Sequence, residues 1–325
     1  MPNMKLLSTL NARAEALCLQ AETLAGELDI AVKHYPNGSK VLDFGHDRLG
    51  TNGAGVLLAK ICMADLADVK VTKSEVLADR ALNAVEVATE HPLEACIAAQ
   101  YAGWPFTTES YFAMCSGPAR IVRGEEPILL EYSLLHQSEQ LVAVFESNKL
   151  PEEDELVSFA EDCGRPVDAE SNVSICVATT SSLPGTIQIV SRSVETAMHK
   201  LHELEFDLRC VTRATGTAPI PPFVDDEYKA MGWTNDAILY GAEVTLWIKG
   251  YDGDIAQLVQ KVPSRSAADF GESFLTIFER YNRDFYAVDR LLFSPAKVTL
   301  IDAESGESFA AGEIRPDILT RTFAL

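Results

Sequence analysis

One stretch constrains this chain more than any other. NVSICVATT at 172–180 is an unbroken apolar run of the kind a strand shows when both its faces are buried. It feeds directly into SLPGTIQIVSRSVETAMHKLHEL at 182–204, where the apolar residues repeat at the helical period. Ser182 and Pro184 form a helix-start signal, and His199, Lys200 and His202 crowd the last turns, where the helix dipole favours positive charge. With Val194 at zero and about 100° per residue, Ile187, Val190, Met198 and Leu201 fall within about 40° of it. Gln188, Arg192, Glu195, His199 and His202 gather between about 80° and 160°. One continuous helix is expected, with a core face beside a polar row. The plain alternative for that row is a solvated face.

At 325 residues the chain gives room for a sizeable core and two domains or one large one. Acidic residues outnumber basic ones 48 to 27, for a net charge of −21. Such a surface repels nucleic acid and anionic membranes, so neither is an expected partner. The seven cysteines are scattered, odd in number and free of C-x-x-C spacing, which argues against a disulfide framework or a zinc ribbon. Several lie in apolar runs, where cysteine behaves as a small buried hydrophobe. The first twenty residues lack the continuous apolar segment of a signal peptide, and no run approaches the roughly 20 apolar residues that span a bilayer. A cytoplasmic location is expected.

Along the chain, an amphipathic helix is expected over 5–28, then a hairpin about Asn37-Gly38, a strong turn dipeptide. The glycines of LGTNGAG at 49–55 match neither a phosphate loop nor a dinucleotide fingerprint. They read as permission for a turn or a close approach. Strands are expected near 69–72 and 84–89, a helix over 92–101, a strand at QLVAVFES and an acidic helix at EEDELVSFAEDC. Pro219, Pro221 and Pro222 exclude a long regular helix and suggest a rigid extended wall. AEVTLWIKG reads as a strand, 266–282 as containing a helix, and 297–314 as a C-terminal hairpin. Strands and helices interleave without a regular βαβ rhythm, so the fold class is α/β with an irregular, α+β-like character.

Six blocks in order resemble the methenyltetrahydromethanopterin cyclohydrolase family: QYAGW at 100–104, FAMCSGPAR at 112–120, the stretch 180–203, GTAPIPP at 216–222, AMGWTNDAILYG at 230–241 and FSPA at 293–296. The resemblance covers essentially the full length. It implies two mixed α/β domains with a substrate pocket between them, a homo-oligomer with a trimer favoured, and a pterin substrate. It also implies hydrolysis of the N5,N10-methenyl bridge to the N5-formyl product, in one-carbon metabolism, with no metal or prosthetic group as cofactor. The family's catalytic Arg-x-x-Glu pair falls on Arg192 and Glu195. Two departures stand out. Trp233 replaces a basic residue before Thr-Asn-Asp, which touches recognition of the substrate tail, and Cys115 replaces a glycine and could narrow the pocket.

The chemistry is consistent with these residues. The bridging carbon is an amidinium-like cation, already electrophilic, so addition of water needs a base rather than a metal. A carboxylate attracts the cation and serves as general base, worth roughly 10²–10⁴-fold in rate. Arg192 and Glu195 stand at i, i+3, a spacing that lets the side chains meet, with the guanidinium favouring an ionised, fixed carboxylate. The plain alternative is an exposed ion pair worth a few tenths of a kcal/mol. Gln188 and His199 are expected to contact substrate. Ser116, Gly117 and Arg120 are expected to offer turn N–H groups and a guanidinium to an anionic group or the pterin. Asn235 and Asp236 are expected to read the pterin's amide and amino edge. Two other functions are weighed: a metal-dependent amidohydrolase with Glu195, His199 and His202 as ligands, and a pterin-binding paralogue without turnover. For the domains, the N- and C-terminal hairpins are expected to share one unit (1–91 with 263–325), leaving 92–262 as the other, because termini of compact domains often lie close.

Overall fold

The computed structural model describes residues 3–77, 80–165, 172–284 and 287–324. Twelve strands are found among them: β1 Ala31–His34, β2 Lys40–Gly45, β3 Asp68–Lys73, β4 Asn83–Thr89, β5 Trp104–Thr107, β6 Phe112–Ser116, β7 Gln140–Glu146, β8 Asn172–Ala178, β9 Val211–Pro219, β10 Glu243–Ile248, β11 Lys297–Asp302 and β12 Ser308–Gly312. They form two mixed six-stranded sheets, in the orders β1-β2-β8-β7-β6-β5 and β12-β11-β10-β9-β4-β3. The class is α/β, as expected. None of the helices among the described residues is long and apolar enough to cross a membrane.

The chain divides into two compact units, Met1–Ala67 with Glu94–Gln188, and Asp68–Leu93 with Ile189–Leu325. This is not the division expected from the termini. Both hairpins form, β1 with β2 and β11 with β12, but β2 pairs with β8 of the first sheet while β11 pairs with β10 of the second. Long-range strand pairing, invisible to local pattern, decides the partition.

In the first unit β8 runs parallel to both β2 and β7, and its described side chains are buried, which explains the unbroken apolar run. Alternate residues of these strands serve opposite faces. Leu42, Phe44, Val142, Val144 and Cys176 pack with the helices Leu10–Thr23 and Asn52–Cys62. Phe145 instead joins Trp104, Phe106 and Tyr111, with Phe159 of the Glu153–Asp162 helix stacked on Trp104 at 4.9 Å between centroids. The 49–55 glycines act as expected: Gly50 has φ +65°, and a Cβ on Gly55 would lie 2.7 Å from Ile187, so two helices close on each other there. The 92–101 segment is helical but wound as a π-helix, Leu93–Gln100.

The expected helix over 182–204 is two helices, Leu183–Val190 and Ser193–Glu203, separated at Ser191–Arg192. The apolar stripe survives the break: Ile187, Val190, Val194, Met198 and Leu201 are all fully buried. In the second unit Gly216 of β9 lets the Ser193–Glu203 helix settle on the sheet, since a Cβ there would lie 2.9 Å from a Val194 methyl. The same helix is tied on another side by Lys200, whose buried Nζ donates to the Leu291 carbonyl and, at 3.1 Å, to Ser266 Oγ. Burial pulls that ammonium down to about 8. All seven cysteines are free thiols and six are buried, Cys210 being the exception.

Candidate active site

The polar row resolves the ambiguity it posed, because it is buried. Gln188 is 3% exposed, Glu195 6%, and Arg192 and His199 9% each. Polar and charged groups are costly to bury unless they are bonded or used, so the solvated-face alternative is removed. Arg192 stands at the N-cap of the Ser193–Glu203 helix, where its carbonyl accepts from the Thr196 amide at 2.8 Å. Glu195 occupies the first turn, where the helix dipole favours a negative charge.

One turn further on the same face is His199. Burial pushes its imidazole down to about 4, against the pull of the Glu203 carboxylate, whose Oε1 lies 3.4 Å from His199 Nε2. The ring is therefore neutral at neutral pH. Arg290 Nη1 approaches the same Glu203 oxygen at 3.5 Å. Glu203 was not among the residues singled out from sequence, although the signal was present: Glu195, His199 and Glu203 repeat at i, i+4, i+8. His202 is half-buried. The zinc-type arrangement does not form. Among the described residues the one group of three potential ligands whose donor atoms lie within 4.8 Å of one another is Asp43, His46 and Asp47. There the Asp43 carboxylate already accepts the amides of Gly45, His46 and Asp47 at 2.7–3.0 Å.

The other expected contacts are placed differently. Arg120 is fully buried and holds protein. Its Nε and Nη2 donate to the two Glu126 oxygens at 2.7 and 2.5 Å, and Nη1 donates to the carbonyls of Ile97 and Ala99 at 3.1 Å each. Nη1, held in place by that bidentate pair, closes off the end of the π-helix, whose last carbonyls lack helical partners. Gly103 of the QYAGW block makes room for it, since a Cβ there would lie 1.9 Å from Glu126 Oε2. Two of the six blocks thus converge on Glu126, a residue in neither. Gly117 has φ +98° and would bring a Cβ to 3.1 Å from the β7 backbone, so only glycine fits. Ser116 is buried, donating to the Val144 carbonyl at 3.3 Å beside Cys62 Sγ at 3.2 Å.

Asp236 is likewise sealed within the second unit. It is fully buried, and Oδ1 accepts the Phe274 amide at 2.8 Å, capping a helix start. Oδ2 has no hydrogen-bond partner among the described residues, and burial raises the carboxyl to about 7. Asn235 is half-buried and its amide donates back to the Met231 carbonyl at 2.9 Å. Trp233 lies against Phe323, with ring centroids 5.8 Å apart, and Cys115 is fully buried in β6. A depression of about 480 Å³ on the second sheet is lined by Lys70, Thr72, Glu86, Thr215, Thr217 and Thr245 among others, and by none of the candidate residues.

Comparison with known proteins agrees with the blocks. A family model described as Cyclohydrolase (MCH) matches residues 9–323. A methenyltetrahydromethanopterin cyclohydrolase from Rhodopirellula baltica is 44% identical over 294 residues, covering 89% of this chain and 87% of its own. The protein of that name from Methanococcoides burtonii is 39% identical over 321 residues, covering 97% and 99%. One from Methylobacillus flagellatus is 37% identical over 299 residues, covering 92% and 90%.

Proposed function

The chain belongs to the cyclohydrolase (MCH) family, and we propose that it hydrolyses N5,N10-methenyltetrahydromethanopterin to the N5-formyl compound with Glu195 as general base and Arg192 as its partner. The observation that carries the residue assignment is the burial of both charged side chains at the start of one helix. An ion pair kept for surface solubility would not be there.

The reaction follows from the charges. Glu195 attracts the cationic bridge and takes a proton from the water adding to its carbon. Arg192, one turn away, fixes the carboxylate in its charged form. The tetrahedral adduct then opens at the C–N10 bond: N10 takes the proton from the carboxyl, and the carboxylate so freed takes the hydroxyl proton as the formyl C=O forms. Because the carbon is already electrophilic, no metal or prosthetic group is needed. Gln188 and His199, both buried, are the proposed neighbours of the substrate. Ser116, Gly117 and Arg120 enter as framework rather than as pterin contacts, since their bonds are made within the protein; Asp236 bonds the Phe274 amide through Oδ1 alone. A homo-oligomer, with a trimer favoured, is proposed from the family resemblance.

The experiment is turnover of the purified protein on the methenyl compound, with and without chelator, beside Glu195→Gln. Expected are chelator-insensitive activity and a loss in kcat of about 10²–10⁴-fold in the variant. Near wild-type kcat in Glu195→Gln would overturn the assignment.

A further inference from the structure

Hydrolysis of this substrate releases an ion that the buried site has to dispose of. A cationic methenyl bridge and one water give a neutral formyl amide. The new C–O bond forms, the C–N10 bond breaks, and N10 keeps one of the water's two protons. The other leaves as H⁺ at every turnover. Glu195, which takes it, is 6% exposed.

We propose that Glu195, His199 and Glu203 form a proton exit along one face of the Ser193–Glu203 helix, from the buried carboxylate to the surface. The proposal rests on the cyclohydrolase reading. Residues four apart on a helix are neighbours, about 5–6 Å between Cβ atoms, so the row is continuous. Exposure rises along it, from the buried Glu195 and His199 to the Glu203 side chain at 23% and Arg290 at 65%. A carboxylate only accepts, so Glu203 at 3.4 Å holds His199 as the Nε2–H tautomer and leaves Nδ1 the acceptor. A proton from Glu195 enters at Nδ1 as the Nε2 proton passes to Glu203 and on to water, and a ring flip resets the imidazole. Arg290 anchors Glu203 at the exit, 3.5 Å away.

The surrounding charges suit a transfer that does not stall. Burial, His202, Arg290 and Lys200 disfavour a lasting charge on the imidazole, against the pull of Glu203. With a value of about 4, His199 binds a proton no more tightly than an ordinary carboxylate does, so it passes the proton on rather than keeping it. In the reverse direction the same row delivers the proton that formyl-to-methenyl closure consumes.

Glu203→Gln is the variant of choice, because Glu203 is partly exposed and the change keeps its shape. The disappearance of methenyl substrate is followed at fixed pH and ionic strength with rising imidazole, after subtracting enzyme-free rates. Loss of the exit is expected to lower kcat about tenfold with KM unchanged within about twofold, and added imidazole is expected to restore it, while the wild type stays flat. His199→Gln, as the second variant, is expected to show the same rescue. A variant kcat equal to wild type, or a loss that imidazole does not repair, overturns the exit alone. A wild type without turnover overturns the cyclohydrolase reading, and the exit with it.

Discussion

Asp236→Asn is expected to make the second unit more stable, and by more the higher the pH. In the folded protein the carboxyl is raised from 3.8 to about 7, chiefly by burial. The unfolded chain therefore binds fewer protons than the native one between those values, so stability falls as pH rises through that window. The full difference corresponds to about 4 kcal/mol at 1.36 kcal/mol per pH unit, reached above pH 7. Roughly half of it has accrued by pH 5.5, which leaves about 2 kcal/mol to appear between pH 5.5 and 8.5. Asparagine keeps the oxygen that accepts the Phe274 amide and cannot ionise. Any fixed cost of its NH₂ group offsets both ends of the titration equally, so the pH-dependent part isolates the carboxyl. The assay is urea unfolding of both proteins across that range, followed by the fluorescence of Trp233 and Trp247, which lie in the same unit. A stability gap that stays constant with pH, or shrinks as pH rises, would refute the reasoning.

Two further outcomes are expected. Glu126→Gln leaves the Arg120 guanidinium buried against an amide and should cost about 3–5 kcal/mol, as broken buried pairs do; urea unfolding followed through Trp104 in the same unit reads it, and a loss below about 1 kcal/mol would contradict the framework role. Sedimentation equilibrium should give a mass about three times that of the chain, and a monomer at micromolar concentration would end the trimer proposal.

The sequence was legible where local pattern and tertiary structure agree. Asn37-Gly38 turns a hairpin, with Gly38 at φ +80°, and the 172–180 run is the central parallel strand its composition suggests. The apolar stripe 187–201 is buried as read, while the burial of Gln188, Arg192, Glu195 and His199 beside it is settled only by the fold. The break at Ser191–Arg192 was not legible, because neither Gly nor Pro marks it and the helical phase carries across. Arg120 shows a different failure. A guanidinium after a turn reads as an offer to an anionic group or the pterin, and its bonds to Glu126 and the carbonyls of 97 and 99 are not legible, because only folding brings these together. Asp236 is named by the sequence, but its bond to the Phe274 amide is not legible there for the same reason: the amide is 38 residues away.

The partition of the chain also sets a timetable for its synthesis. The β3–β4 hairpin belongs to the second unit but is made in the middle of the first, and β4 pairs with β9, which begins about 120 residues later. At about 5–20 residues per second the ribosome takes roughly 6–24 s to supply that partner. For that interval the apolar side of β4, with Val85 and Val87, has no sheet to join. The nascent chain thus carries an open strand edge while its first unit is completed, and an open edge is a template for pairing with another chain.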